Sequence, residues 1–301
     1  MLVGFDGREQ GRDALALGRV LSQAEGATLL VVSAYRADNS ASARASEDLR
    51  AEAEQLVAEG IQLAGGDSLV VGMTVAGRSP ARALHELAER EHPALVVVGS
   101  SHRGALGRVL AGNVAQQLLA GSPCPVAIAP RRLADRAPEL RTIGVGFDDG
   151  PDSWSALQRA AALAAGVGAS VRVIHALQPP VRSDEGPAQR RAAELAVNRA
   201  VASLSRDVQP QARLVAGDPV PVLETEARVG LDLLVLGSRG FGPLRRVLLG
   251  SVSSELVRQA PCPLLVVPRS VEFDPTAGGL AGRDESAADA SGSEPPHGAP
   301  R

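Results

Sequence analysis

The sequence predicts an α/β protein of two tandem, doubly wound domains, each with a five-stranded, mostly parallel sheet flanked by helices. Three pairs of matching residues share one separation of 138 positions, as an internal duplication produces. These pairs are Gly99 and Gly237, Gly112 and Gly250, and Cys124 and Cys262. In each copy, strand-like runs alternate with stretches of helical length. Runs such as ALVVVG and LDLLVLG are almost continuously apolar, which is typical of parallel strands buried on both faces.

The alternation predicts five strands and four helices in each copy. In the first copy, we predict strands at 2–6, 28–34, 69–76, 94–99 and 125–129, and helices at about 11–25, 45–64, 80–91 and 112–120. In the second copy, we predict strands at 142–147, 170–176, 211–216, 232–237 and 263–267, and helices at about 152–166, 187–206, 219–229 and 250–259. Ser79-Pro80 and Asp218-Pro219 are typical of an N-cap followed by proline at the first helical position. The apolar residues of the helix from 187, Val197 and Ala200 among them, fall on one stripe.

A polar, proline-containing stretch at 131–140 separates the two copies. We therefore predict a first domain at 1–133 and a second at 140–270. The segment 273–301 is rich in Gly, Pro, Ser and Asp, with almost no large apolar residue, and is predicted to be a disordered tail.

Composition excludes several classes of protein. The 301 residues carry a formal charge of −3, contain no lysine and show no long basic run, so nucleic acid is not an expected partner. No apolar run approaches the roughly 20 residues that span a bilayer, and the opening MLVGFDG resembles a strand rather than a signal peptide. Two cysteines without a Cys-x-x-Cys motif or clustered histidines predict reduced thiols, a cytoplasmic location and no metal site.

A glycine-rich loop follows the fourth predicted strand of the second copy, where 236–251 reads LGSRGFGPLRRVLLGS. Glycines let backbone N–H groups approach a ligand, and a helix start supplies free donors, so the loop can hold an anion such as phosphate. It is not a Walker loop, because the chain has no lysine, and its place after the fourth strand does not suit a dinucleotide fingerprint. The alternative is that the glycines only cap the strand and tighten the turn.

The spacing Gly237-x2-Gly240-x9-Gly250-Ser251 resembles the nucleotide loop of the universal stress protein (UspA-like) family. The resemblance covers roughly 1–270 and includes an opening strand that ends in Asp, a Gly-Asp-Pro before the third helix and a closing Pro-Cys-Pro strand. It implies a Rossmann-like fold of the adenine nucleotide alpha hydrolase type. It also implies that the chain binds ATP, or a related adenine nucleotide, with Mg²⁺.

Carried over residue by residue, the resemblance implies a complete site in the second copy. Asp148 would contact the adenosine part, and Ala176 would line the adenine pocket. Gly237 and Gly240 would let the chain wrap the phosphates. The residues that would present backbone and hydroxyl donors to the phosphates are Gly250, Ser251, Val252 and Ser253.

The first copy departs from the family pattern. Its matching residues are Asp6, Ala34, Gly99, Gly112 and Asn113. His102 stands where the second glycine would be, Asn113 replaces the serine and Ala115 replaces Ser253. His102 and Asn113 can each donate a hydrogen bond to a phosphate, or the site can simply be degraded. We predict tighter nucleotide binding in the second copy.

The function predicted is ATP binding with a regulatory role in stress or dormancy. Asp6 and Asp148 each stand without a paired carboxylate or base, so we predict no catalytic residue. The alternatives are a slow ATPase or nucleotidyl transferase, and an interaction protein that binds no nucleotide. His175 is predicted to be a buried, hydrogen-bonded imidazole, Trp154 a core or interface residue and Asp149 a turn residue. The family resemblance implies that the closing strands pair within the chain as a pseudo-dimer, which would hide two sheet edges, with homodimerisation also open.

Overall fold

The computed structural model describes residues 1–36, 43–66, 69–101, 103, 105–179, 186–238 and 249–268. The first copy forms β1 (Leu2–Gly4), α1 (Glu9–Glu25), β2 (Leu29–Arg36), α2 (Ala43–Leu63), β3 (Val70–Gly77), α3 (Pro80–Glu91), β4 (Val96–Gly99), α4 (Asn113–Leu119) and β5 (Val126–Ala129). The second copy forms β6 (Thr142–Gly146), α5 (Pro151–Val167), β7 (Ser170–Leu177), α6 (Gly186–Ala202), β8 (Gln211–Ala216), α7 (Pro219–Gly230), β9 (Leu233–Gly237), α8 (Ser251–Leu256) and β10 (Leu264–Val267). The predicted tail at 273–301 lies outside the described residues.

Every predicted strand and helix is present, and the differences are at the ends of elements. The helix predicted over 187–206 ends at Ala202, because Ser205 begins a separate 3₁₀ turn at Arg206–Val208. The Ser205 hydroxyl caps that turn by accepting a hydrogen bond from the Asp207 amide at 3.2 Å. The last helix, predicted over 250–259, is shorter and spans Ser251–Leu256.

The described strands form one ten-stranded sheet in the order β3-β2-β1-β4-β5-β10-β9-β6-β7-β8. Each half is parallel, and the two halves meet where β5 and β10 pair antiparallel, with Leu264 opposite Ile128. The predicted doubly wound α/β fold is therefore confirmed. The closing strands pair within the chain, as expected of a pseudo-dimer, so neither strand is an open sheet edge.

Two layers of helices cover the sheet. On one face of the sheet, the buried apolar residues pack against α1, α2, α5 and α6. On the other face, they pack against α3, α4, α7 and α8. Trp154 is a core residue, as predicted, with 6% of its surface exposed and an edge-to-face contact to Phe147 at 5.2 Å between ring centroids. Within the described ranges, no helix is long and apolar enough to cross a membrane.

The two copies also meet through α1 and α5. Gly166 lies so close to the Ala24 carbonyl that a Cβ atom at this position would be 1.7 Å from the oxygen. Nearby, Arg159 of α5 forms an ion pair with Glu25 of α1, and both side chains are largely buried. A large apolar core on each face of the sheet continues across the boundary between the copies.

The cysteines are free and buried, at opposite ends of the central strand pair. The antiparallel register separates Cys124 from Cys262 by most of the length of β5 and β10. Burial raises the pKa of the Cys124 thiol and raises the pKa of the Cys262 thiol to about 12. Neither group is therefore a thiolate at neutral pH.

The segment that joins the copies is tied to the first copy by Asp13. This carboxylate accepts hydrogen bonds from the Arg132 amide at 2.8 Å and the Ala134 amide at 2.9 Å. Burial raises its pKa. The predicted limit at 133 falls within this anchored stretch, and the domain limits at 133 and 140 remain a prediction.

Candidate functional site

Each copy contains a cavity at the carboxyl ends of its parallel strands. The cavities lie beside the ends of β1 and β4 in the first copy, and of β6 and β9 in the second. In each copy these two strands are neighbours in the sheet, and the strand order reverses between them. This is the position where open α/β sheets place their ligands.

The second-copy cavity has a volume of about 240 Å³. Of the residues predicted for this site, those that line it are Asp148, Ala176, Gly237, Gly250, Val252 and Ser253. Ser251 is exposed and is the first residue of α8, next to the lining residues. Gly240 lies outside the described residues. The apolar wall includes Ile174, Leu223 and Leu236.

The first-copy cavity is larger, at about 680 Å³. The residues predicted for it all line it: Asp6, Ala34, Gly99, Gly112 and Asn113. His102 lies outside the described residues. Both cavities are thus assembled from matching positions of the two copies.

Asp6 and Asp148 hold the turn between the first strand and the first helix of each copy. The Oδ1 atom of Asp6 accepts a hydrogen bond from the Arg8 amide at 3.1 Å, and that of Asp148 accepts one from the Gly150 amide at 3.0 Å. Both side chains are exposed at the cavity rim, where a ligand can reach them.

Asp149 anchors the same turn to α6. Its φ of +65° confirms that it is a turn residue. Its carboxylate accepts hydrogen bonds from the Trp154 indole at 3.0 Å and from Arg199 at 2.7 Å. The Arg199 guanidinium also lies 5.9 Å from the centre of the Trp154 ring system. These contacts hold the rim of the second cavity in place.

Gly99 and Gly237 let a helix pass close to the end of a strand. A Cβ atom at 99 would lie 2.1 Å from the Gln10 carbonyl oxygen, and one at 237 would lie 2.5 Å from the Asp152 carbonyl carbon. Real Cβ atoms do not approach backbone this closely, so helix packing by itself requires glycine at both positions. These two glycines therefore have a local structural role, which is the alternative to ligand binding that the sequence left open for the loop glycines.

Gly112 and Gly250 are different, because each is the N-cap of a short helix with extended backbone, at φ −76° and −72°. A Cβ atom at 112 would meet Ser101 at an ordinary 3.5 Å. Packing therefore tolerates a side chain at 112, and the reason for glycine there must lie elsewhere. A small residue at this point keeps the cavity wall open.

Matches to known proteins agree with this architecture. The model of the universal stress protein family matches residues 1–130 and 139–268. The chain belongs to the universal stress protein family. A universal stress protein of Mycobacterium tuberculosis is 32% identical over 236 residues, covering 73% of this chain and 78% of the relative.

Solved universal stress proteins share the fold. The structure from Archaeoglobus fulgidus covers 90% of this chain and 98% of its own, with a TM-score of 0.66 and 21% identity. At that identity the likeness concerns the fold alone. A universal stress protein crystallised with cAMP covers 43% of this chain and 95% of its own, at 26% identity and a TM-score of 0.34.

In the first copy of this universal stress protein, four backbone amides between β4 and α4 are hydrogen-bonded within the protein. The Ser101 amide binds the Leu110 carbonyl at 2.7 Å, and the Leu110 amide binds the Ser100 hydroxyl at 3.3 Å. The Val109 and Ala111 amides bind carbonyls that follow α8 of the second copy, each at 2.7 Å. These donors are not available to a ligand.

In the second copy, Ser253 also has an internal partner. Its hydroxyl donates to the Gly250 carbonyl at 3.2 Å, and its side chain is buried. The hydroxyl that the family pattern places at the phosphates is thus engaged in the first turn of α8, whereas Ser251 is exposed.

His175 is half-buried and lines the second cavity, so the prediction of a hydrogen-bonded core imidazole is wrong. Its Nδ1 atom is buried and makes no hydrogen bond within the described part of the chain. Val171 and Val173 share its face of β7 and are fully buried, but 175 lies where the strand reaches the cavity. Its position one residue before Ala176, at a strand end, was the signal in the sequence.

Sequence reasoning also missed charged residues at the two rims. These are Asp152, which lines the second cavity, and Arg8, which lines the first. Arg103, which the sequence places in the first-copy loop, also lines the first cavity. Arg8 and Asp152 lie close to the predicted aspartates in sequence, in the first turn of a helix. The sequence signal for these residues was the start of a helix directly after the first strand of each copy, because several neighbouring side chains at such a position reach the same cavity.

Proposed function

We propose that this universal stress protein binds an adenine nucleotide, ATP with Mg²⁺, in the second-copy cavity, and that it acts as a cytoplasmic regulator rather than as an enzyme. The observation that carries the proposal is the convergence of six predicted residues, from four separate segments of chain, on one cavity at the strand-order reversal. The family pattern of these residues is the second support.

The walls of the cavity suit a nucleoside. Ile174, Leu223 and Leu236 supply apolar surface for a base, and the side chain of Ala176 is small enough to leave room for it. The Asp148 carboxylate at the rim can accept hydrogen bonds from ribose hydroxyls. His175 adds an imidazole nitrogen that has no described partner and can hydrogen-bond a base.

The residues also fit a magnesium ion bound mainly through phosphate. Mg²⁺ is usually held by one or two carboxylates together with substrate phosphates and water. Asp148 and Asp152 are the described carboxylates in the cavity lining. The nucleotide would supply the remaining oxygen ligands, and Mg²⁺ would neutralise charge between the phosphates and these acids.

Regulation by such a site requires that nucleotide binding changes the free-energy difference between two states of the protein. The second cavity adjoins α8, and the turn after α8 accepts hydrogen bonds from the first-copy loop. Nucleotide at α8 is therefore well placed to alter the contact between the copies.

Amide hydrogen exchange with and without Mg-ATP tests the proposal at the level of individual peptides. We expect Mg-ATP to protect peptides covering 146–153 and 250–257. Ala176→Phe should abolish this protection by filling the second cavity, whereas Ala34→Phe at the matching position of the first cavity should leave it intact. Unchanged exchange in both peptides at saturating Mg-ATP, or protection that survives Ala176→Phe, would contradict the proposal.

A further inference from the structure

The two outer edges of the sheet are formed by matching strands of the two copies, β3 and β8. β3 has eight residues and reads VVGMTVAG, without a charged residue or a proline. β8 has six residues, reads QARLVA and carries Arg213. Proteins commonly keep a sheet edge from pairing with another chain by making the strand short or by adding charge or proline. β8 has two of these features, whereas β3 has none.

Backbone groups along β3 are unpaired. The Leu29 amide donates to the Leu69 carbonyl at 2.8 Å, and β2 pairs in parallel with β3 from this point. In a parallel pair, the backbone groups of alternate residues face the partner strand, so those of the residues in between face outward. The outward-facing residues are Val70, Gly72, Thr74 and Ala76. In the part of the chain that the structure describes, none of their outward N–H and C=O groups has a hydrogen-bond partner.

Apolar side chains lie beside these backbone groups. Leu69, just before the strand, is 51% exposed, and Val71 is 43% exposed. Val71, Met73 and Val75 alternate along the face of β3 that packs against α3. Exposed apolar side chains next to unpaired backbone are typical of a surface that another strand covers.

We propose that a second copy of this chain covers this surface, so that β3 pairs antiparallel with the partner's β3 about a two-fold axis. One register pairs all the outward-facing groups, with Val70 opposite the partner's Ala76 and Gly72 opposite the partner's Thr74. Each such pair exchanges two hydrogen bonds, and the axis repeats both pairs. The assembly closes as a dimer, because both protomers use the same strand.

The same register places apolar side chains against one another. Met73 lies on the axis opposite the partner's Met73, and Val71 lies opposite the partner's Val75. These are non-hydrogen-bonded pairs, whose side chains come closest across an antiparallel pair. Pairing thereby removes the exposed surface of Val71 from water.

The matching edge of the second copy opposes such a pairing. Arg213 occupies the position of Met73, because the two residues pair with the positions two residues before Ala176 and Ala34. A β8–β8 pair in the same register would set two Arg213 guanidinium groups opposite each other, and like charges directly opposite destabilise a sheet. Arg213 is instead paired with Glu226 of α7 at 2.7 Å. The duplication therefore leaves one edge suited to self-pairing and one edge protected from it.

The helices beside β3 leave room for the partner. α2 packs against both β2 and β3 on one face, and α3 packs against the same two strands on the other face. A helix that lies astride two strands is set back from the edge strand by about half the strand spacing of about 4.8 Å. Across the new strand pair, matching helices would then be about 10 Å apart, which is a normal distance between packed helices.

The resulting interface has the size of a stable one. Eight residues of strand are about 27 Å long, and a sheet with helices on both faces is about 30 Å thick. The edge therefore covers about 800 Å² on each partner, as in a standard protein–protein interface. An unrelated extended peptide would contact the strand but not both layers of helices, so a second copy fits this edge better.

The chain already contains one joint of this kind. β5 and β10 pair antiparallel at the boundary between the copies, and α1 contacts α5 beside them. A dimer through β3 would repeat that joint between two chains and continue the ten-stranded sheet across the axis. This inference does not depend on nucleotide binding.

Sedimentation equilibrium of the full chain over a range of concentrations tests the proposal. We expect a dimer for the unchanged chain. Val71→Lys should raise the dissociation constant of the dimer about tenfold or more, because the axis buries two ammonium groups without partners. The matched control is Gln211→Lys, at the equivalent exposed position of β8, which should leave the dimer unchanged.

A disulfide tests the register. Across a non-hydrogen-bonded pair, the Cα atoms lie about 4.5 Å apart, which is within the range that a disulfide spans. Met73→Cys should therefore form a covalent dimer under mild oxidation. Val71→Cys is the control, because its two copies would lie four residues apart along the strands, about 14 Å, and should not cross-link. The natural thiols of Cys124 and Cys262 are buried and should give no background.

Three results would overturn the inference. One is a monomer at every concentration, whether the edge stays open or is covered by another segment of the chain. Another is a dimer that Val71→Lys leaves as tight as before, which places the contact elsewhere. The third is the absence of a disulfide in the Met73→Cys protein, which decides the matter alone if circular dichroism shows that Val71→Lys does not fold. None of these results bears on nucleotide binding in the second cavity.

Discussion

Gly99 and Gly237 end the fourth strand of each copy, where the first turn of a helix passes within contact distance. The family pattern places Gly237 at the phosphates, and the structure adds a second reason for glycine at this position, since a Cβ atom would overlap the backbone of α5. The family pattern and the packing of α5 therefore both require glycine at 237. Loss of binding after its substitution would therefore not by itself show a phosphate contact.

Gly237→Ala is expected to lower the free energy of unfolding by about 1–3 kcal/mol, because α5 or β9 must shift to admit the methyl group. Urea denaturation monitored by far-UV circular dichroism measures this. The control is Gly112→Ser, which adds a Cβ atom where the nearest atoms are at 3.5 Å and keeps a favoured N-cap residue, so little change is expected. Equal stability of the two variants would show that the close contact at 237 relaxes freely.

Cys262 provides a test of burial through pH. Its pKa in the folded protein is about 12, against 9.0 for an unperturbed thiol, so the unfolded chain loses this proton first. The free energy of unfolding should therefore fall as pH rises from 9 towards 12, by at most about 1.4 kcal/mol per pH unit from this group. Cys262→Ala should remove that part of the slope. Identical slopes for the two proteins would contradict the raised pKa.

At the scale of helices and strands, local signals account for most of what the sequence predicts. Ser79 and Pro80 place the start of α3 correctly, and the Ser79 hydroxyl accepts a hydrogen bond from the Arg82 amide at 3.3 Å. Asp218 occupies the matching N-cap position of α7, but its side chain makes no cap hydrogen bond. The pattern predicts the helix start in both copies, whereas the cap itself depends on side-chain geometry.

Ser79→Ala should cost about 1 kcal/mol of unfolding free energy, because the first turn of α3 loses its side-chain acceptor. Chemical denaturation of the full chain gives the value. Ser79→Thr keeps an acceptor at the same place and should recover most of the loss. If the threonine protein is as unstable as the alanine protein, the hydroxyl is not acting as a cap.

The first-copy loop shows why the conformation of part of the site could not be predicted from the sequence. Residues 105–111 contain little that predicts their conformation, because their amides bind carbonyls of Arg131, Ala260 and Val257, which are distant in sequence. By contrast Asp6 and Asp148 were found because a carboxylate directly after a buried strand is a local signal.

At the scale of the whole molecule, the two copies share a single ten-stranded sheet. The closing strands are apolar, which would make them a liability as open edges, and their antiparallel pairing joins the halves. Contact between α1 and α5 and the shared apolar layers add to the junction. The sequence predicted the strand pairing from the resemblance, but the Gly166 contact and the Glu25–Arg159 pair appear only once the halves are placed together.

Gly166→Leu should separate the unfolding of the two halves, because a side chain at 166 would overlap the Ala24 carbonyl. Trp154 is the only tryptophan and lies in the second copy, so its fluorescence reports that half, whereas circular dichroism reports both. We expect coincident urea transitions for the unchanged chain and displaced transitions for Gly166→Leu. Ala165→Leu, at an exposed position of the same helical turn, should stay coincident. Coincident transitions in the Gly166→Leu protein would show that the copies do not depend on this contact.

The most direct test of nucleotide binding is a crystal structure of the full chain grown with Mg-ATP. We predict electron density for the base beside Ala176, for the ribose at Asp148 and for the phosphates near Gly250 and Ser251. A second cavity that holds only solvent at saturating nucleotide, or that is closed by its own side chains in a well-ordered crystal, would contradict the account.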